Sequence, residues 1–295
     1  MIEASGDRRI KLRLSGLMDR KLRFVPAERS AADFAGYVRN LLAILDCSPL
    51  GRALARFAAL QEATIGLDPL LEPHASYFYP SLNHFDLGYQ PDLLQKSEKG
   101  ISRYLLSITG ALRRVWHHHT GHGPAAELKP RDFLRLARCA EADIEAVTHL
   151  VAWELRSGGG SFLWRSLLSG PNGDVAVVFE RAVTENPPGQ FAGGALRAGF
   201  DQWFAERERV NACDHFALEM MDLALIQQAG PVGTVALSSA RIAGLGLLPG
   251  GRNYLSGRLF TGDWYETPDD EFNRAHLRHI ERDIRQLIEK EHNPG

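Results

Sequence analysis

"ISRYLLSITGALRRVWHHHTGHGP", residues 101–124, is the stretch on which the reading of this chain turns. Ile101, Tyr104, Leu105, Ile108, Leu112, Val115 and His119 fall at i, i+3, i+4, i+7, i+11, i+14 and i+18, one continuous face of a helix. The spacing predicts a helix over 97–119, stopped by Gly121 and Pro124. Next comes "KPRDFLRLARCAEADIEAVTHLVAWELRSGGG", where Phe133, Ala137, Ala140, Ile144, Val147, Val151 and Leu155 repeat the pattern. A second long helix is expected from about 130 to 157, closed by glycines. Leu150 and Trp153 lie off its stripe, so it should be buried on more than one side.

Working outward, "SAAD" at 30–33 resembles a capping box with Asp33 in the place of the usual Glu. Phe34, Tyr37, Val38, Leu41, Leu42 and Leu45 then carry a helix up to Pro49, and a second is expected over 50–64. Residues 65–91 hold four prolines and several aromatics without helical period. They read as extended chain with one short hairpin. Downstream, helices are expected over 161–169, 173–184, 193–206 and 207–228. A glycine-rich stretch, "GLGLLPGGRNYLSG", and a charged helix over 269–290 follow. The chain therefore reads as mainly α (α+β), with at most a small sheet or hairpin. It divides into an N-terminal arm (1–29), a helical domain (30–228) and a glycine-rich C-terminal appendage ending in a helix (229–295).

Lys+Arg number 34 against 36 Asp+Glu, a formal net charge of −2 that favours neither nucleic acid nor a membrane as partner. Cys47, Cys139 and Cys213 are far apart and odd in number, which fits neither a disulfide framework nor zinc-finger spacing. No apolar run approaches the ~20 residues of a membrane span, and the first residues lack the apolar core of a signal peptide. A cytoplasmic, soluble protein is expected.

His117, His118, His119 and His122 raise the question of a metal. A zinc site on one helix needs converging ligands, typically two histidines at i and i+4 plus a third ligand from elsewhere. His118 and His122 have that spacing, but Gly121 between them ends the helix. His119 continues the apolar face and is expected half-buried, while His117 points elsewhere because helical neighbours diverge by about 100°. The alternative is an ordinary helix C-terminus, where cationic side chains such as Arg113 and Arg114 are favoured. On the second helix, Glu141, Asp143, Glu145 and Glu154 flank the apolar stripe and read as carboxylate partners for arginines. His215, Glu219 and Asp222 fall at i, i+4 and i+7. They form either a metal-binding face or a solvated face opposite Phe216, Met220 and Leu223. No GxSxG, Walker loop or strand-linked GxGxxG is present.

Three blocks, "LLSITGALRRVWHHH", "RCAEADIEAVTHLVAWELRSGGGSFLWRSLLSGPNGDVAVVF" and "ALRAGFDQWFAERERVNACDHFALEMMD", resemble in order and spacing a proteobacterial domain family described as a "putative metallopeptidase domain". The resemblance covers roughly residues 30 to 260 and implies a zincin-like core with two packed helices. In such metallopeptidases the first helix carries HExxH and the second gives a third ligand. Here the first helix would be "ISRYLLSITGALRRVW", which holds no His, Glu or Asp, and no HExxH occurs anywhere in the chain. Thr109, Gly110, Ala111, Arg113 and Arg114 stand where the motif would lie, and two arginines repel a dication.

Two functions follow. In the first, the chain is a non-catalytic relative, a binding or structural module for a protein or peptide partner. Arg113 and Arg114 then pair with the Glu141–Asp143–Glu145 region, and no cofactor is expected. In the second, it is a metal-dependent hydrolase holding zinc through non-standard ligands. These would be His118, His119 or His122 with Glu141 or Glu145, or His215 with Glu219.

Overall fold

The computed structural model describes residues 10–14, 31–72, 75–88, 97–156, 158, 160–187, 193–227, 232–257 and 267–292. The Ser30 cap, residues 89–91 and most of the N-terminal arm lie outside them. Two helices, α1 (Ala31–Leu45) and α2 (Pro49–Leu60), open the fold. Pro49 does not merely stop the first; it occupies the first turn of the second, where its missing N–H costs no hydrogen bond. Ser48 caps α2 by accepting from Gly51 N.

The helix expected over 50–64 ends early, because Thr64 begins a strand. β1 (Ile10–Arg13), β2 (Thr64–Asp68), β3 (Ser76–Tyr79) and β4 (His84–Gly88) form a sheet of order β1-β2-β4-β3. β2 and β4 run parallel and the other two pairings are antiparallel. Only the β3–β4 hairpin is local enough to read from turn residues. Its turn passes through Asn83 at φ 46°, a left-handed conformation that asparagine tolerates better than most residues. Ile65, Leu67, Phe85 and Leu87 share one face of the sheet and join the core. Thr64, Asp68, His84 and Asp86 alternate with them and are buried as well.

The central pair is α3 (Glu98–His119) and α4 (Pro130–Arg156). Ser97 caps α3 through Gly100 N. Gly121 at φ 74° turns the chain so that His122 N and Gly123 N both donate to the His117 carbonyl. α4 is buried along most of its circumference, as its double stripe requires. Around it pack α5 (Ser161–Leu168), α6 (Gly173–Glu185), α7 (Gly194–Trp203), α8 (Arg207–Gln227), α9 (Ser239–Leu245) and α10 (Glu271–His292). The α3–α4 contact is close at Gly110, where a Cβ would stand 3.3 Å from Ile144 Cγ2.

Two faces differ from their sequence reading. His119 is exposed, and His117 is the buried histidine of the run. α8 turns Asp214, Ala217, Leu218 and Met221 inward, leaving Phe216 and Leu223 about half exposed. Its apolar residues lie on more than one side, so periodicity could not choose the inner face. Within the glycine-rich stretch after residue 229, Ile242, Leu245, Tyr254 and Leu255 sit in the same core as α3 and α4.

Candidate functional site

Arg113 and Asp143 are both fully buried where α3 crosses α4. The guanidinium grips the carboxylate with two bonds, Nε to Oδ2 at 2.7 Å and Nη2 to Oδ1 at 3.0 Å. Nη2 also donates to the Leu245 carbonyl at 2.6 Å, and Nη1 to the Leu247 carbonyl at 3.0 Å. One turn along α3, His117 Nε2 donates to Asp143 Oδ2 at 2.8 Å, and the Tyr254 hydroxyl donates to Oδ1 at 2.6 Å. Such a planar fork satisfies a buried carboxylate in a way a lysine could not. Burial alone would push the Asp143 carboxyl up, but the Arg113 charge and His117 outweigh it and hold it at about 2. Burial keeps the His117 imidazole below its ordinary range despite Asp143. Burial and Asp143 push the Tyr254 hydroxyl well up, so it stays a donor.

Beside this node the helices part into an open groove of about 920 Å³. Ser102, Leu106, Gly110 and Arg114 line it from α3, Glu141 and Glu145 from α4. Arg114 Nη2 donates to both oxygens of Glu141, at 2.9 and 2.7 Å, across the groove wall. About a third of each side chain is exposed, so the pair stabilises the fold by about 1 kcal/mol at most. Glu145 lies 3.4 Å from Nδ1 of the buried His149. The groove reaches Ser76 at the start of β3, the edge strand of the sheet. In the β3–β4 register, Tyr77 and Tyr79 turn their backbone toward β4 while Ser76 and Phe78 turn theirs outward. Those outward groups have no hydrogen-bond partner among the described residues.

The sequence candidates thus separate. Arg113 meets Asp143, Arg114 meets Glu141, and Glu145 completes the groove floor. Of the histidine run only His117 joins them, through Asp143; the others do not. His118 packs edge-on against Phe78, and His119 Nε2 bonds Asn83 Oδ1 at 3.0 Å. His122, beyond the helix end, lies against Gly244, where any Cβ would collide with its ring. Burial lowers the basicity of His118, His119 and His122. His215 and Glu219 form an exposed pair at 3.3 Å, and Asp222 is bonded instead to His276 at 2.6 Å.

A zinc ion does not fit the groove. Catalytic zinc needs three imidazole, thiolate or carboxylate donors around an open position. From α3 come one carboxylate, Glu98 in the first turn and 3.6 Å from Arg165, and otherwise serines, a leucine, a glycine and the cations Lys99, Arg103 and Arg114, while the Arg114 guanidinium already neutralises Glu141. Among the described residues no three of His, Cys, Asp and Glu converge as a ligand set.

Sequence reasoning missed two members of the node. His117 could have been placed, since it lies at i+4 from Arg113 and so shares its face. Tyr254 could not, because 111 residues separate it from Asp143. A second buried network was also missed: Thr64 Oγ1 bonds His84 Nδ1 at 2.7 Å, and His84 Nε2 bonds Asp86 Oδ1 at 2.9 Å.

A family described as "Putative metallopeptidase family" matches residues 25–256. The chain belongs to that family. No curated protein and no solved structure matches it. The family match spans β2 to β4, α3, α4 and the turn through Tyr254, and so includes every member of the buried node. No helix of the described residues is long and apolar enough to cross a membrane.

Proposed function

We propose that this chain is a non-catalytic member of its family, a binding module that takes an extended peptide segment of a partner protein. The Arg114–Glu141 pair carries this reading, because it puts a permanent cation on the groove wall where a metal-dependent hydrolase needs donors. The outward backbone of Ser76 and Phe78 supports the peptide half. An edge strand opening onto a groove accepts a further strand through main-chain hydrogen bonds, with side chains lodging in the groove. Binding needs neither cofactor nor nucleic acid.

Metal analysis of untagged protein tests the first half. Substoichiometric zinc and a melting temperature indifferent to chelator are expected. Stoichiometric zinc that disappears in both His118→Ala and Glu141→Ala would establish the hydrolase with non-standard ligands instead. Amide exchange tests the second half. Ser76 and Phe78 should exchange freely in the isolated protein and slow when a selected peptide binds. A binder that leaves both unprotected refutes strand addition.

A further inference from the structure

A second cavity lies on the far side of α4, and its chemistry differs from that of the groove. Leu150 and Glu154 face it, roughly 180° around the helix from the Glu141–Glu145 face. It measures about 670 Å³, within the ~300–1,000 Å³ usual for small-molecule sites. Leu50 and Ala53 from α2, Leu150 from α4, Leu196 from α7, and Leu248 and Pro249 from the turn after α9 give it an aliphatic wall.

Into this wall is set one carboxylate with an oxygen to spare. Glu154 Oε2 accepts from the Ser48 hydroxyl in a very short bond and from Leu50 N at 3.0 Å. That fixes the side chain against the first turn of α2. Oε1 has no hydrogen-bond partner among the described residues. The other polar groups nearby are committed. Tyr254 donates its hydroxyl to Asp143, and the Asn253 side chain bonds the Ala243 carbonyl and Leu255 N. Arg252, the other charged lining residue, is exposed at the rim.

We infer that this cavity is a binding site for a small molecule with an aliphatic body and a protonated primary amine. The wall removes the body from water, and Oε1 accepts a charge-assisted hydrogen bond from the ammonium. A neutral hydroxyl makes a weaker bond there, and a carboxylate is repelled. Burial raises the Glu154 carboxyl above its ordinary range, so amine binding is lost on acidification as the carboxyl takes up its proton. The inference is independent of the groove and of the non-catalytic reading.

Calorimetric titration of the full chain at pH 8 with hexylamine, 1-hexanol and hexanoate tests it. Hexylamine should bind saturably, with hexanol and hexanoate at least tenfold weaker. Glu154→Gln keeps an acceptor for Ser48 and Leu50 but removes the charge, and should weaken hexylamine at least tenfold. Ala53→Phe fills the cavity with Glu154 intact and should abolish binding, while Arg114→Ala in the groove should leave it unchanged. Hexanoate or hexanol binding as tightly as the amine would overturn the inference, and so would absence of saturable binding. The three-ligand comparison on the unmodified chain decides the matter even if a variant fails to fold.

Discussion

Asp143 shows how much of this fold hangs on single side chains. Replacing it by alanine strands the Arg113 guanidinium without its counter-charge in a fully buried position. Losses of about 3–5 kcal/mol are typical of a broken buried pair, so Asp143→Ala should lower the denaturation midpoint drastically. Arg114→Ala, at the partly exposed pair, should cost under about 1 kcal/mol. A denaturation series separates the two, and equal losses would contradict the burial described. Acid should act on the same node. The Asp143 carboxyl, held at about 2 when folded, has an unfolded value near 3.8. Its contribution is therefore complete above about pH 4 and fades as pH falls toward 2. His117, lowered by burial, favours folding above its unfolded value of 6.5 and loses that contribution below it. Both signs agree, so stability should fall on acidification in two stages, and Asp143→Asn should flatten the lower one. At this scale the sequence was partly legible. Adjacent arginines opposite a carboxylate-rich turn implied cross-helix pairing. Which histidine was buried was not legible, because the apolar stripe pointed to His119 and the polar node drew in His117.

Elements were easiest to read where local chemistry and packing agree. α3 and α4 have sustained stripes and clear stops, and both fall within a residue or two of their expected bounds. The sheet was harder, since the parallel β2–β4 contact joins strands across the intervening β3 hairpin and leaves no short-range mark. What fixes that contact is visible only in three dimensions. Thr64 and His84 stand opposite each other, and the Thr64–His84–Asp86 chain ties the two strands at one level. A slip of one residue would turn Thr64 away from the imidazole and expose Ile65 to the polar face. Replacing the imidazole in His84→Phe leaves Asp86 buried without its donor, which should cost about 1–3 kcal/mol. Amide exchange along β2 and β4 should accelerate together. α2 depends on a different bond. Ser48→Ala removes both its cap and the donor to Glu154, so a loss above the ~1 kcal/mol of a simple cap is expected.

At the scale of the whole molecule, the composition and helix pattern yielded the class, mainly helical with a small sheet. The place of the glycine-rich stretch was not legible, because glycine and proline signal turns but do not say what the turns touch. The Leu245 and Leu247 carbonyls and the Tyr254 hydroxyl all enter the Arg113–Asp143 node. A chain cut after residue 228 should therefore lose cooperative unfolding and expose apolar surface, measurable by calorimetry and dye binding. A cooperative transition like that of the full chain would show the node to be dispensable.

The same clasp sets an order of events during synthesis. Arg113 emerges from the ribosome 134 residues before the Leu247 carbonyl that completes its hydrogen bonding. At about 5–20 residues per second, the α3–α4 crossing waits several seconds with a charged group and no full set of acceptors. The nascent chain passes through that interval with its central helix pair formed only provisionally. Slowed translation between Arg113 and Leu247 would lengthen the period in which chaperones, or other copies of the chain, can reach the unfinished core.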